Sequence, residues 1–402
     1  MPRKLIVIII FGSLALGLFI QYQARVTKRG FCDYRVYYEA GRDILTGQNI
    51  YQQDSEAITP FKYSPFFAVF MAPFSMVDKR TSASLFFILN LICLFFILKV
   101  SRRLIFFKDI GRKKEYLVFL IVFVLSFRAI LHCLQSGQVG LLIVLSILLG
   151  LLFISRNKQV QGSFLIGFAV MIKYMPFLFG LHFLIKKKYK VCLFFALALI
   201  VYCLLPGIFF GAKTNFHYLK DWFPYITSTS LDSGSLVDSK NYSLWTLIRR
   251  IIPGISANWA IISIILVFGV VVVLFSIKGK GRQSNPQMNE FYDCIDYGMV
   301  FLAMALFNPN AWLHNFVVVI FPYMIVMYYL FICNFKDKIV LALLALSFIF
   351  FSLVSESLVG DRMQNMLECC SVVTWGTLLL FAALFKIKFY SNSITIGGLR
   401  NG

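Results

Sequence analysis

Charge is scarce in this chain. Only 14% of the 402 residues are Asp, Glu, Lys or Arg, while 59% are apolar. Acid is scarcer than base, with 18 Asp and Glu against 39 Lys and Arg and a formal net charge of +21. The nine cysteines show no paired spacing. Cys93, Cys192, Cys203 and Cys333 fall inside apolar runs, where Cys behaves as a small hydrophobe, and Cys369 and Cys370 are mere neighbours. That excludes a disulfide framework and a zinc site read from spacing. No Asp-x-Asp or His-rich cluster stands in the expected outer loops, so no metal is implied; the nearest candidate, DCID at 293–296, falls at the expected cytoplasmic end of a span. There is no P-loop, no Gly-rich strand–helix loop and no visible internal repeat, which speaks against nucleotide-driven and repeat-built transport folds. Nothing implies a cofactor or a nucleic-acid partner.

What is present is a series of long apolar runs. Many windows approach the roughly 20 residues that cross a bilayer, and lipid admits only helices and closed barrels. The runs lack the alternation of a barrel strand, so the chain reads as an all-α polytopic membrane protein. MPRKLIVIIIFGSLALGLFI has the n- and h-regions of a signal peptide. The poor cleavage flank and the spans that follow make it an uncleaved first helix. About twelve spans are expected, at 5–20, 82–100, 117–134, 138–155, 162–173, 174–185, 191–210, 258–277, 292–307, 315–333, 339–355 and 367–385. With the N-terminus inside, more than half of the Lys and Arg fall on short cytoplasmic segments, including the cluster from Lys99 to Lys114 and KKKYK at 186–190. This positive-inside bias puts both termini in the cytoplasm. Segment 64–78 is short and carries Pro65 and Pro73; if it spanned, Lys99–Lys114 would face outward, so an interfacial helix on the outer face is expected. Segment 162–185 reads as two short helices meeting near Lys173. Two long outer loops result, 21–81 and 211–257.

The chemistry concentrates in a few places. Asp33 stands just past the first apolar run, among Tyr22, Tyr34, Tyr37, Tyr38, Tyr51, Arg35 and Arg42. A lone acid in such company suits sugars and phosphates; the competing reading is an N-cap for a short helix over 34–45. Arg128 and Lys173 are cations inside spans, each costing roughly 2.5–3.5 kcal/mol on insertion. They read either as a phosphate clamp near the outer leaflet or as an internal salt bridge (Arg128) and a snorkelling helix end (Lys173). His314, in FNPNAWLHNF with Asn308, Pro309, Asn310 and Trp312, either caps and packs or donates to a phosphate or a sugar hydroxyl. QSGQVG at 135–140 brings Gln135 and Gln138 to the start of a span. NYSLWTLIRR at 241–250 reads as an amphipathic outer helix carrying Asn241, Ser243, Trp245, Arg249 and Arg250, either a solvated face or a hold for an anionic lipid. The chain has no long soluble domain to bind a nucleotide sugar, so any sugar donor should be lipid-linked.

Taken together these stretches resemble glycosyltransferase family 87, polytopic mannosyltransferase-like enzymes of the GT-C superfamily. DYRVYYEAGRDILTGQNIY resembles the family's first-loop signature, with the acid at Asp33. FKYSPFFAVFMAP, with Tyr63, resembles its aromatic–Pro segment, Ser64 standing where Pro is common. Arg128 is spaced from Gly137 and Gln138 as in the family, with Gly140 where Asn is usual. KYMP at 173–176, NYSLWTLIRR and NPNAWLHNF resemble its Lys-x-x-Pro, Asn-x-Ser and Pro-x-x-Trp-x-His elements. The resemblance implies a GT-C-like bundle with interfacial helices in the first outer loop, one domain over 1–402 capped by loops 21–81 and 211–257. It implies an inverting hexosyltransferase of a bacterial-type inner membrane. The partners it implies are a polyprenyl-phosphate sugar donor, with mannose the expected sugar, a glycolipid or glycan acceptor, and membrane lipids, with transfer on the outer face. Asp33 is the implied base; Lys173, His314, Arg128 and Arg249 the donor-phosphate groups; Tyr37, Tyr63, Gln138, Asn241 and Trp312 the substrate contacts. The alternative reading is a flippase or polymerase of lipid-linked oligosaccharide.

Overall fold

A computed structural model describes residues 16–23 (18 excepted), 33–51, 61–106, 110–230, 238–277 and 286–390. Most of the first expected span, 5–20, lies outside them. All regular structure among the described residues is helical: α1 Tyr34–Thr46, α2 Pro65–Ser75, α3 Lys79–Ile105, α4 Arg112–Gln135, α5 Gly140–Ser155, α6 Gln159–Ile172, α7 Phe177–Ile185, α8 Tyr189–Leu204, α9 Gly207–Phe210, α10 Ala212–Ser230, α11 Leu244–Ile251, α12 Ala257–Ser276, α13 Pro286–Leu306, a 3₁₀ helix Leu313–Val319 running into α14 Ile320–Ile332, α15 Lys338–Ser352, α16 Glu356–Val359, α17 Asp361–Cys369 and α18 Val372–Tyr390.

Five of these segments are long and apolar enough to cross a membrane: Lys79–Ile105, Arg112–Gln135, Tyr189–Phe210, Leu313–Ile332 and Val372–Tyr390. Several expected spans are shorter helices, among them α5, α6 and α15. The last expected span, 367–385, is two helices, because the chain turns at Cys370 and Ser371, the latter at φ +57°. Leu313–Ile332 is central: 83% of its apolar window is buried, against 22% for the peripheral Tyr189–Phe210.

The local chemistry explains the ends that matter for the site. Gly47, at φ +71°, closes α1, and the Gln48 N–H returns to the Asp43 carbonyl at 2.8 Å. Ser64 caps α2, accepting from the Phe67 N–H at 3.3 Å, with Pro65 at the first helical position. Asp78 caps α3 through the Arg80 and Thr81 N–H groups, both at 3.0 Å. α1 lies on α2, where the Ser75 hydroxyl donates to the Tyr38 carbonyl at 2.7 Å. α5 and α6 form a close antiparallel hairpin: a Cβ on Gly150 would sit 2.7 Å from the Gly162 carbonyl oxygen, and one on Gly162 2.5 Å from that of Gly150. This hairpin starts beside Gln138 and returns to Lys173.

Candidate active site

Four parts of the chain meet around one amide. Asp33 precedes α1 in the N-cap position, yet its backbone is already helical (φ −68°, ψ −23°) and its side chain caps nothing. Its Oδ2 instead accepts from Gln138 Nε2 at 2.6 Å. The other end of that amide, Oε1, accepts from the Tyr37 hydroxyl at 2.9 Å and from Lys173 Nζ at 3.4 Å. Lys173 also donates to Asn315 Oδ1 at 3.0 Å, and Asn315 Nδ2 to the Asn310 carbonyl at 2.9 Å. Gln138 therefore has one possible orientation. Flipped, its carbonyl would face a carboxylate and its NH₂ an ammonium. One neutral side chain thus joins an anion and a cation.

Aromatic groups wall this contact. Tyr37 and Tyr63 hydroxyls lie 2.8 Å apart, and the Tyr63 ring is 6.0 Å from Lys173 Nζ, within cation–π range. Tyr37 spends its one proton on Gln138, so Tyr63 donates to Tyr37. Burial pushes both phenols well above their ordinary value and the Asp33 charge adds to it, so both remain protonated donors. The Tyr51 hydroxyl holds the Tyr63 carbonyl at 2.8 Å.

Two glycines and a serine set the approach. Gly137, at φ +63°, lets the turn before α5 press on α1; a Cβ there would lie 2.7 Å from the Tyr34 Cβ. At Gly140 a Cβ would lie 2.9 Å from Val317 Cγ1 and 3.4 Å from the His314 carbonyl oxygen. The absence of a side chain at Gly140 therefore lets the 3₁₀ helix close in and deliver Asn315. Ser64 supplies a bond: its hydroxyl donates to the Met171 carbonyl, two residues before Lys173. Beside Lys173, Gly140 and Asn315 lies a small cavity of about 40 Å³, also lined by Pro176 and Asn308, room for a few waters.

The other expected site residues are placed differently. The His314 ring stacks on His132, with centroids 5.9 Å apart. Trp312 is half-buried at the start of the 3₁₀ helix, its carbonyl accepting from the Asn315 N–H at 2.8 Å. Asn241 is fully buried and ties two loops, donating to the Pro309 carbonyl at 2.7 Å and accepting from the Ser243 and Ala311 N–H groups. Arg128 pairs with the buried Glu368 at 3.3 Å and donates to the Phe351 carbonyl at 3.2 Å. Glu368 also accepts from Tyr242 at 2.9 Å and Gln364 at 2.8 Å. Arg250, not Arg249, joins that knot, through the Glu368 carbonyl and Ser371. Arg249 is half-buried, and its Nε has no hydrogen-bond partner among the described residues.

Sequence reasoning missed Asn315. Its signal lay in the same FNPNAWLHNF stretch. In a 3₁₀ turn residues three apart eclipse, so Asn315 follows Trp312 on one side, while an α-helical reading favours His314. Among the described residues no group of three His, Cys, Asp or Glu side chains is placed to hold a metal.

Fold and site together define a helical membrane protein with an acid and an ammonium bridged at one end of a helical hairpin. Residues 61–290, more than half of the chain, match the model of glycosyltransferase family 87, and the chain belongs to that family. It is thus a membrane glycosyltransferase. Asp33 and Asn315 lie outside the matched stretch. No curated protein and no solved structure matches the chain.

Proposed function

We propose that this glycosyltransferase moves a hexose, mannose being the expected sugar, from a polyprenyl-phosphate donor to a hydroxyl of a glycolipid or glycan, on the outer face of a bacterial-type inner membrane. The observation that carries the reading is the single amide of Gln138 held between Asp33 and Lys173. Glycosyl transfer to a hydroxyl needs a base on one side of the anomeric carbon and positive charge on the other. The acceptor oxygen attacks that carbon and its proton passes to Asp33. The bond from the anomeric carbon to the phosphate oxygen breaks, and the polyprenyl phosphate leaves with the electron pair. Lys173 stabilises the charge that builds on it, so no general acid is needed. One displacement from the opposite face inverts the anomer. Tyr63 and Tyr37 offer ring faces and hydroxyls to the sugar. His314, Arg249 and Arg128, the last also paired with Glu368, are the secondary phosphate groups.

The test is transfer of labelled mannose from polyprenyl-phosphate-mannose to candidate lipid acceptors by purified protein. Asp33→Asn should lower turnover about 10²–10⁴-fold with the fold intact. Lys173→Ala should chiefly raise the donor KM. Normal turnover by the Asp33 variant removes it as the base, and label crossing the bilayer without a new glycosidic bond indicates a flippase.

A further inference from the structure

A second cleft lies far from the Gln138 site, at the other end of the α5–α6 hairpin. It measures about 400 Å³ and is lined by Lys187, Lys188, Lys190, Asn157, Gln159 and Tyr189, with no acidic side chain in its wall. The α5–α6 hairpin fixes where it lies. α5 begins beside Gln138 and ends at this cleft; α6 begins at the cleft and ends at Lys173. At 1.5 Å per residue, fourteen to sixteen residues place the two sites roughly 21–24 Å apart along the hairpin. They therefore lie at opposite ends of the hairpin, which in the expected topology face opposite leaflets.

The cleft is built from two turns of the same form. The Lys158 N–H returns to the Phe153 carbonyl at 2.8 Å and the Lys188 N–H to the Phe183 carbonyl at 2.9 Å. Each turn feeds a helix with no side-chain cap and no acid in its first turn, α6 and α8. The Ser163 hydroxyl ties the two starts together by donating to the Val191 carbonyl at 3.1 Å. Positive charge thus comes from the lysines and from two adjacent helix ends. Lys188 is partly spent on Asp293 at 3.6 Å, while Lys187 and Lys190 have no acidic partner among the described residues. Directly beyond the cleft the helix surfaces are apolar and open: Tyr189 is 62% and Leu193 65% exposed. A basic cavity continuous with a lipid-facing apolar surface has the complementarity of a phosphate headgroup whose acyl chains lie along α8.

We propose that this cleft binds the phosphate headgroup of an anionic phospholipid in the leaflet opposite the Gln138 site. The test is native mass spectrometry of the detergent-purified full chain titrated with phosphatidylglycerol, phosphatidylcholine or inorganic phosphate. Wild type should retain phosphatidylglycerol well above phosphatidylcholine. Lys187→Gln with Lys190→Gln should weaken that binding about 25-fold, roughly fivefold per lysine, and the paired Arg substitutions should restore it. Undiminished phosphatidylglycerol binding by the paired Gln variant overturns the proposal, as does equal retention of phosphatidylcholine. Displacement of the lipid by equimolar inorganic phosphate assigns the cleft to free phosphate and overturns it too. If the Gln pair lowers the melting midpoint sharply, the last two comparisons, made on wild type, still decide.

Discussion

At the scale of single residues, the site depends on what neutral groups do for charged ones. Asp33 and Lys173 are each held by Gln138, and Lys173 is held a second time by Asn315. Without the amide, base and cation lose their shared reference point. A displacement of about 1 Å can cost on the order of 100-fold in rate. Gln138→Leu is therefore expected to cut turnover by about that factor while the protein still folds, as followed by mannose transfer alongside thermal melting. Turnover equal to wild type would show that Asp33 and Lys173 hold their places without it. Asp33 also shows how a residue's position can mislead. It stands where a cap belongs, in a sequence that favours one, but its backbone has already turned helical and its carboxylate is aimed at Gln138 in the turn before α5. Arg128 shows the same from the other side. It is expected among the donor-phosphate groups, and the salt bridge weighed as the alternative has a partner, Glu368, 240 residues away, which no local pattern could nominate.

At the scale of elements, the α5–α6 hairpin governs the site because both of its site-side ends carry site residues. Its two helices meet through Gly150 and Gly162, each of which would drive a Cβ into the other's carbonyl. Without a hydrophobic force between helices in lipid, close backbone packing of this kind is a main source of association. Gly162→Leu should separate the pair, destabilise by about 1–3 kcal/mol, and lower transfer at the same time, since Gln138 and Lys173 then move apart. The melting midpoint in detergent and the transfer rate together check this; a fall in neither would mean the hairpin is held elsewhere. The two short helices expected to meet near Lys173 are present as α6 and α7, with Lys173 at an extended break between them (φ −138°, ψ 134°). Length and the charge pattern made that legible. The 3₁₀ start of the central segment was not, since apolar periodicity over seven residues does not separate it from an α-helix.

For the whole molecule, a buried ionic cluster ties the middle of α13 to the ends of α7 and α18. Asp296 on α13 is 1% exposed and bonds Lys186, just after α7, and Lys388 on α18, both at 2.7 Å. Lys388 is itself buried and donates to the Leu274 carbonyl on α12 at 2.7 Å. Removing one member of a buried pair strands a charge and costs about 3–5 kcal/mol. Asp296→Asn should accordingly lower the melting midpoint strongly, and the triple change Asp296→Leu, Lys186→Met, Lys388→Met should recover much of it. A single variant as stable as wild type would show that the cluster contributes little. DCID at 293–296, expected at the end of a span, lies mid-helix because α13 begins earlier, at Pro286, and its acids pair with lysines that the sequence could not nominate.

Composition and apolar run length determined, without any coordinates, that this chain is helical and belongs in a membrane. Both are local consequences of how backbone polar groups must be satisfied in lipid. Short motifs in order pointed to glycosyltransferase family 87, because a family's signature is carried by residue type and spacing along the chain. Which acid, amide and cation touch was decided only by tertiary structure. Hydrogen bonds form between atoms about 3 Å apart in space, and Asp33, Gln138, Lys173 and Asn315 are brought that close by a glycine hairpin, a left-handed turn at Gly137 and a 3₁₀ segment allowed in by Gly140.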